Sequence, residues 1–175
     1  VTINANGNTV DLRNSLDTVG ANGYTINAAD SQDSNITGSQ QADSINSSGE
    51  DTINAQGGDD QITIAGANAV VDGEDGNDTI NLVAGADAAA LTGGLGEDAF
   101  IIGDSITGIT ITDLGLDGDS TLSVGAGSDV VASVTEGFTA DTATANFGDV
   151  TINANGNTVD LRNSLDKEGA NGYNI

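Results

Sequence analysis

The chain contains no cysteine, histidine, proline, methionine or tryptophan. Without cysteine there are no disulfides to add stability or to indicate a redox compartment. With histidine absent as well, a Ser or Cys nucleophile activated by a His base is excluded. Five aromatics, Tyr24, Tyr173, Phe100, Phe138 and Phe147, are spread over 175 residues. The core must therefore come from Ile, Val, Leu and Ala, which favours a thin, layered architecture. Basic residues are nearly missing: 3 Lys and Arg face 27 Asp and Glu, for a net charge of −24. That excludes phosphate-tracking nucleic-acid binding, which needs a basic face, and argues against anionic membranes. No run approaches the ~18 apolar residues of a membrane span, and no signal peptide is visible. Lacking an initiator Met, the chain is expected to be a piece or processed product of something longer.

What is present is acid, glycine and repetition. Self-repulsion on this scale opposes a compact state unless something neutralises it, and divalent cations are the obvious candidates. Gly-rich, charged sequence also suits disorder, but the periodicity argues otherwise. Residues 1–26 return at 150–175 with 23 of 26 positions identical at an offset of 149. The differences are Thr18 to Lys167, Val19 to Glu168 and Thr25 to Asn174. The chain thus reads as one complete unit, 1–149, followed by the start of a second copy, 150–175.

A shorter period lies within the unit. "DSIN" (43–46), "DTIN" (51–54), "DQIT" (60–63), "DTIN" (78–81) and "DAFI" (98–101) each set an Asp two residues before an apolar residue. Glycine loops precede them, and β-branched, alternating segments follow, which predicts strands. One helical turn through Leu12 and Leu16 is the most that 11–17 offers, and the Asn-Gly steps at 6–7, 22–23, 155–156 and 171–172 read as tight turns. The inward row is expected to be Ile45, Ile53, Ile62, Val71, Ile80 and Phe100, a narrow core.

The stretch "GGLGEDAFI" (93–101) fits the nonapeptide G-G-x-G-x-D-x-U-x throughout, and "GEDGNDTIN" (73–81) fits with Glu74 in place of the second glycine. In this the chain resembles the RTX (repeats-in-toxin) calcium-binding β-roll family. "ITGSQQADSI" (36–45) resembles the opening of such a block, and "ITDLGLDGDSTLSVGAG" (111–127) the strands that close one. The resemblance covers about 36–127; "SSGED" and "QGGDD" are degenerate and 64–71 lacks an Asp where one is due. Tandem repetition of the unit is similar to modules of very large secreted bacterial surface proteins and adhesins, which implies an extracellular or cell-surface location.

The nonad also makes chemical sense by itself. Calcium takes six to eight hard oxygens from carboxylates and carbonyls; glycine lets a loop aim carbonyls inward. The candidate ligands are Asp43, Asp51, Asp60, Asp75, Asp78, Asp87 and Asp98, with the loop glycines Gly58, Gly73, Gly76, Gly94 and Gly96. Two nonads make one coil, so Asp43, Asp60, Asp78 and Asp98 should stack as one ladder. Asp51 and Asp87 should begin the opposite ladder, interrupted at Ala69. The competing explanation is surface turns with solvated acids; several loops in phase favour calcium.

Other constellations carry less. Paired carboxylates cleave glycosides, but among 27 acids some pairs lie close by chance, and no enzyme is expected. Thr-x-Asn triplets at 2–4, 25–27, 52–54, 79–81 and 151–153 suggest a regular outward array of the ice-binding kind. Same-face neighbours are mixed, so ordinary solvated positions are expected there. Sequons at Asn35, Asn46 and Asn77 read as accidental.

The expected fold is an all-β, right-handed parallel β-roll or β-solenoid centred on 36–102. Calcium loops lie between its turns, and strands at 1–35 and 103–149 extend it or cover its ends. The expected role is a calcium-stabilised structural module of an extracellular filament, surface layer or giant surface protein, stacking end to end on copies of itself. The rivals are an adhesin module binding a carbohydrate or surface ligand, and a secretion domain detached from an enzyme.

Overall fold

Alternation in short segments, Thr or Ser outward and Ile inward, dictates strands of three to six residues for most of the chain. In the computed structural model, which describes residues 1–15, 23–116, 120–166 and 172–175, these strands pair only in parallel. Numbered in chain order, one nine-stranded sheet runs β1 (Thr2–Asn4), β3 (Thr25–Ala28), β5 (Ser44–Ser47), β7 (Gln61–Ile64), β9 (Thr79–Leu82), β11 (Ala99–Ile102), β13 (Thr121–Val124), β16 (Ala145–Asn146), β19 (Leu165–Asp166). The second nine-stranded sheet runs β2 (Thr9–Asp11), β4 (Asn35–Thr37), β6 (Thr52–Asn54), β8 (Val70–Asp72), β10 (Ala90–Thr92), β12 (Ile109–Leu114), β14 (Asp129–Val134), β17 (Asp149–Asn153), β20 (Tyr173–Asn174). The chain crosses from one sheet to the other and back in each coil, so the fold is an all-β parallel solenoid of the β-roll kind. Among the described residues there is no helix.

Near the second copy a third face appears, a two-stranded sheet of β15 (Gly137–Thr139) and β18 (Thr158–Asp160). Segments 1–35 and 103–149 extend the solenoid: both large sheets run through them without a break. The register Thr2, Thr25, Ser44, Gln61, Thr79, Ala99, Thr121 gives successive coils of 23, 19, 17, 18, 20 and 22 residues, so the rod narrows at 44–79.

Ile45, Ile53, Ile62, Val71, Ile80 and Phe100 are all buried, as the alternation requires. The first sheet contributes a second inward column, Ile64, Leu82, Ile102 and Val124, because its middle strands are one residue longer. Outward, Asn27 Nδ2 donates to Asn4 Oδ1 (3.3 Å) and Asn46 Nδ2 to Asn27 Oδ1 (3.2 Å). The column then becomes Thr63, Asn81 and Ile101, and the array loses its regularity.

Asn6-Gly7 and Asn155-Gly156 are tight turns with both residues at positive φ, closed by Asn8 N–H to Ala5 C=O and Asn157 N–H to Ala154 C=O. This is the geometry for which Asn-Gly is suited. Asn22 and Asn171 of the other two steps lie outside the described residues, as does Leu16. The described part of that segment is a turn and not helical, with Ser15 N–H on Leu12 C=O (2.9 Å).

Candidate cation-binding site

The predicted aspartate ladder exists. Ser44, Gln61, Thr79 and Ala99 are register partners, which stacks the Asp before each of them. Each carboxylate reaches back one coil: Asp60 Oδ1 accepts Asp43 N–H (2.6 Å), Asp78 Oδ1 accepts Asp60 N–H (2.8 Å), and Asp98 Oδ1 accepts Asp78 N–H (2.9 Å). All four side chains are buried. The second oxygen distinguishes them. Asp43 Oδ2 accepts Ser39 N–H (2.7 Å), but Asp60 Oδ2 and Asp78 Oδ2 are buried without any hydrogen-bond partner.

An unpartnered carboxylate oxygen in the interior is costly, because desolvation penalises the charged form. Burial accordingly pushes Asp60 up to about 8, Asp98 to about 7 and Asp78 to about 6. The backbone donors lower each value, and neighbouring acids raise it: Asp78, Asp43 and Asp59 around Asp60, Asp59 and Asp72 around Asp78, Asp78 and Asp113 around Asp98. Asp72 is likewise raised by burial and by Glu74.

The loops before these residues share one conformation. The second and fourth positions have positive φ in 55–60 (Gln56 80°, Gly58 103°), 73–78 (Glu74 72°, Gly76 143°) and 93–98 (Gly94 102°, Gly96 127°). The degenerate "QGGDD" loop therefore matches the two better copies. Stacking is tight enough to bar a side chain: a Cβ on Gly76 would lie 2.1 Å from Gly58 O, and one on Gly96 2.2 Å from Gly76 O. A Cβ on Gly73 would lie 2.2 Å from Asp78 Oδ2, so this glycine keeps open the space the free oxygen faces.

The remaining expected ligands are placed differently. Asp51 is buried on the second sheet and fully engaged, accepting Ser34 N–H (2.6 Å) and Ser47 Oγ–H (2.5 Å). Asp75 has an exposed side chain; its backbone joins the loops, with N–H on Gln56 O and its carbonyl accepting Gly58 N–H (both 2.9 Å). Asp87 does not stack on Asp51. The register places Asp51, Ala69 and Ala89 in one column, and Asp87 accepts Thr107 N–H (2.7 Å) at the surface. The cause is coil length: 70 to 90 takes 20 residues where 52 to 70 takes 18. Asp113, which the nonad pattern does not mark, accepts Gly93 N–H and Gly94 N–H (both 2.9 Å) and clasps the last glycine loop. Its distance of one coil from Gly93 is the only signal for it in the sequence.

Among the described residues no three acidic side chains converge on one point. A cation held between these loops would find one carboxylate per coil, so its remaining oxygens would have to come from backbone carbonyls. The donors on offer are hard oxygens, the preference of calcium, and the orphaned oxygens of Asp60 and Asp78 supply the charge it would offset. The residues fit the ion. Comparison of the chain with models of protein families, with curated proteins and with solved structures returns no match.

Proposed function

We propose that this chain is a calcium-stabilised structural module of an extracellular bacterial filament, surface layer or giant surface protein, joined head to tail with further copies of itself. One observation carries the reading: a solenoid whose glycine loops bury a column of carboxylates and leave two oxygens without a proton donor. The residues that would hold the ion are Asp60, Asp78 and Asp98 with the carbonyls of loops 55–60, 73–78 and 93–98. When bound, the ion neutralises the column, and its binding free energy becomes folding free energy. Asp43, Asp51 and Asp113 act without it, each fixing a loop through backbone N–H groups. A repetitive rod in which each coil contacts its neighbours suits load-bearing or spacing.

The test is folding against calcium. Circular dichroism at neutral pH should show β structure in millimolar calcium and its loss, or a melting temperature lower by tens of degrees, in EDTA. Magnesium and sodium at matched ionic strength are the control for screening of the −24 charge. Equal stability in calcium, in EDTA and in the controls would refute the calcium reading.

A further inference from the structure

In their described residues the two near-identical stretches share local structure but occupy different faces. Thr2 pairs with Thr25, and their repeats Thr151 and Asn174 pair in the same way. Both copies have the Asn-Gly turn and the Asp-x-Arg clasp, Asp11 with Arg13 and Asp160 with Arg162. Yet β1 lies in the first sheet and its repeat, within β17, in the second; β2 lies in the second sheet and its repeat, β18, on the third face. Thr25, in β3 of the first sheet, recurs as Asn174 in β20 of the second.

The register gives the reason. Seven pairings lead from Asn4 through Asn27, Asn46, Thr63, Asn81, Ile101 and Ser123 to Ala145. The repeat of Asn4 is Asn153, eight residues later and on the second sheet. One unit is therefore seven coils plus one face. From β13 to β16 the chain visits first sheet, second sheet, third face and first sheet again.

The edge that joins units is visible twice, once open and once covered. Thr25 N–H donates to Val1 C=O and Ala5 N–H to Asn27 C=O, so the alternation of a parallel ladder turns the backbone groups of Thr2 and Asn4 away from β3. In the repeat, Asp149 N–H donates to Ser128 C=O, and the alternation turns Thr151 and Asn153 onto β14. Val1 is 86% exposed where Val150 is fully buried, and Ile3 is partly exposed where Ile152 is buried. The surface that covers this edge is thus the edge formed by β14, β15 and β16, within residues 129–146.

We infer that successive units form one unbroken solenoid in which the 1–26 edge of each sits on the 129–146 edge of the one before, turned one face about the rod axis. Three units restore the starting face, and the aspartate column changes side from unit to unit. This rests on the head-to-tail part of the proposed function and is independent of calcium. The interface is heterologous and open-ended, so it propagates and does not close into a ring.

The test is a chain with one more unit: residues 1–149 followed by the whole of 1–175, in calcium. Small-angle scattering should show a single rod, longer than the 175-residue chain by about 35 Å, from seven and a third coils at about 4.8 Å each. A crystal structure should relate the units by that rise and a rotation of one face. Thr151→Pro, which removes a junction donor, should lower the melting temperature or hinge the rod, whereas Thr2→Pro, at the open edge, should do neither. Two units that tumble independently, or equal effects of the two prolines, would overturn head-to-tail stacking and the inference with it. A rigid rod whose units differ by translation alone would overturn only the one-face turn.

Discussion

At the scale of single residues, two positions separate charge from conformation. Asp78→Asn keeps an oxygen for Asp60 N–H but removes the buried charge. The expected outcome is a variant more stable than the parent in EDTA and less stable in calcium, read from paired thermal melts; destabilisation under both conditions would make Asp78 a packing residue only. Ala88 is exposed with φ at 57°, a region that costs a Cβ-bearing residue about 1 kcal/mol. Ala88→Gly should recover part of that, raising stability by roughly 0.5–1 kcal/mol in denaturant unfolding. The same conformational demand explains what was legible in the loops. Gly58, Gly76 and Gly94 are marked by their residue type, whereas Gln56 and Glu74 adopt positive φ at the nonad's second-glycine position without being glycine. Asp113 was hidden because its role depends on a coil of 20 residues bringing it to Gly93.

At the scale of coils and loops, the aspartate column makes folding of the metal-free chain depend on pH. Asp60, Asp98 and Asp78 retain protons up to about 8, 7 and 6, whereas in the unfolded chain they lose them near 3.9. Between about pH 4 and 8 the folded state therefore binds more protons than the unfolded, and stability falls as pH rises through that window. In EDTA the melting temperature should be lower at pH 8 than at pH 4.5, and Asp60→Asn should flatten the trend; a rise with pH would contradict it. Calcium should restore at pH 8 what was lost. Hydrogen exchange adds a spatial test: amides of 38–100 should lose protection in EDTA while those of β14 and β17 keep it. The strands themselves were readable because Ile45, Ile62 and Ile80 recur with period two inside segments spaced by one coil. A strict 18-residue count from Asp51 misplaces Asp87, because it misses the two extra residues before β10. The third face leaves no mark in the sequence: Gly137–Thr139 and Thr158–Asp160 are too short, and too unlike the nonads, to mark one another as partners.

At the scale of the whole molecule, the coil geometry fixes how the rod responds to load. Backbone hydrogen bonds between coils run along the rod axis, so tension on the two ends separates coils one after another instead of shearing long strands together. A coil of 18 residues occupies about 4.8 Å of the axis but contains roughly 60 Å of extended chain. Each coil that opens thus releases more than ten times the length it occupied, while the coils behind it stay folded. Stretched in an optical trap, the molecule should lengthen in a staircase of such increments. The steps through the narrow stretch at 44–79 should need more force in calcium than in EDTA; identical traces would detach the ion from mechanics. In the structural role proposed above, a rod built this way would yield under a sudden pull and spread the energy over many small ruptures.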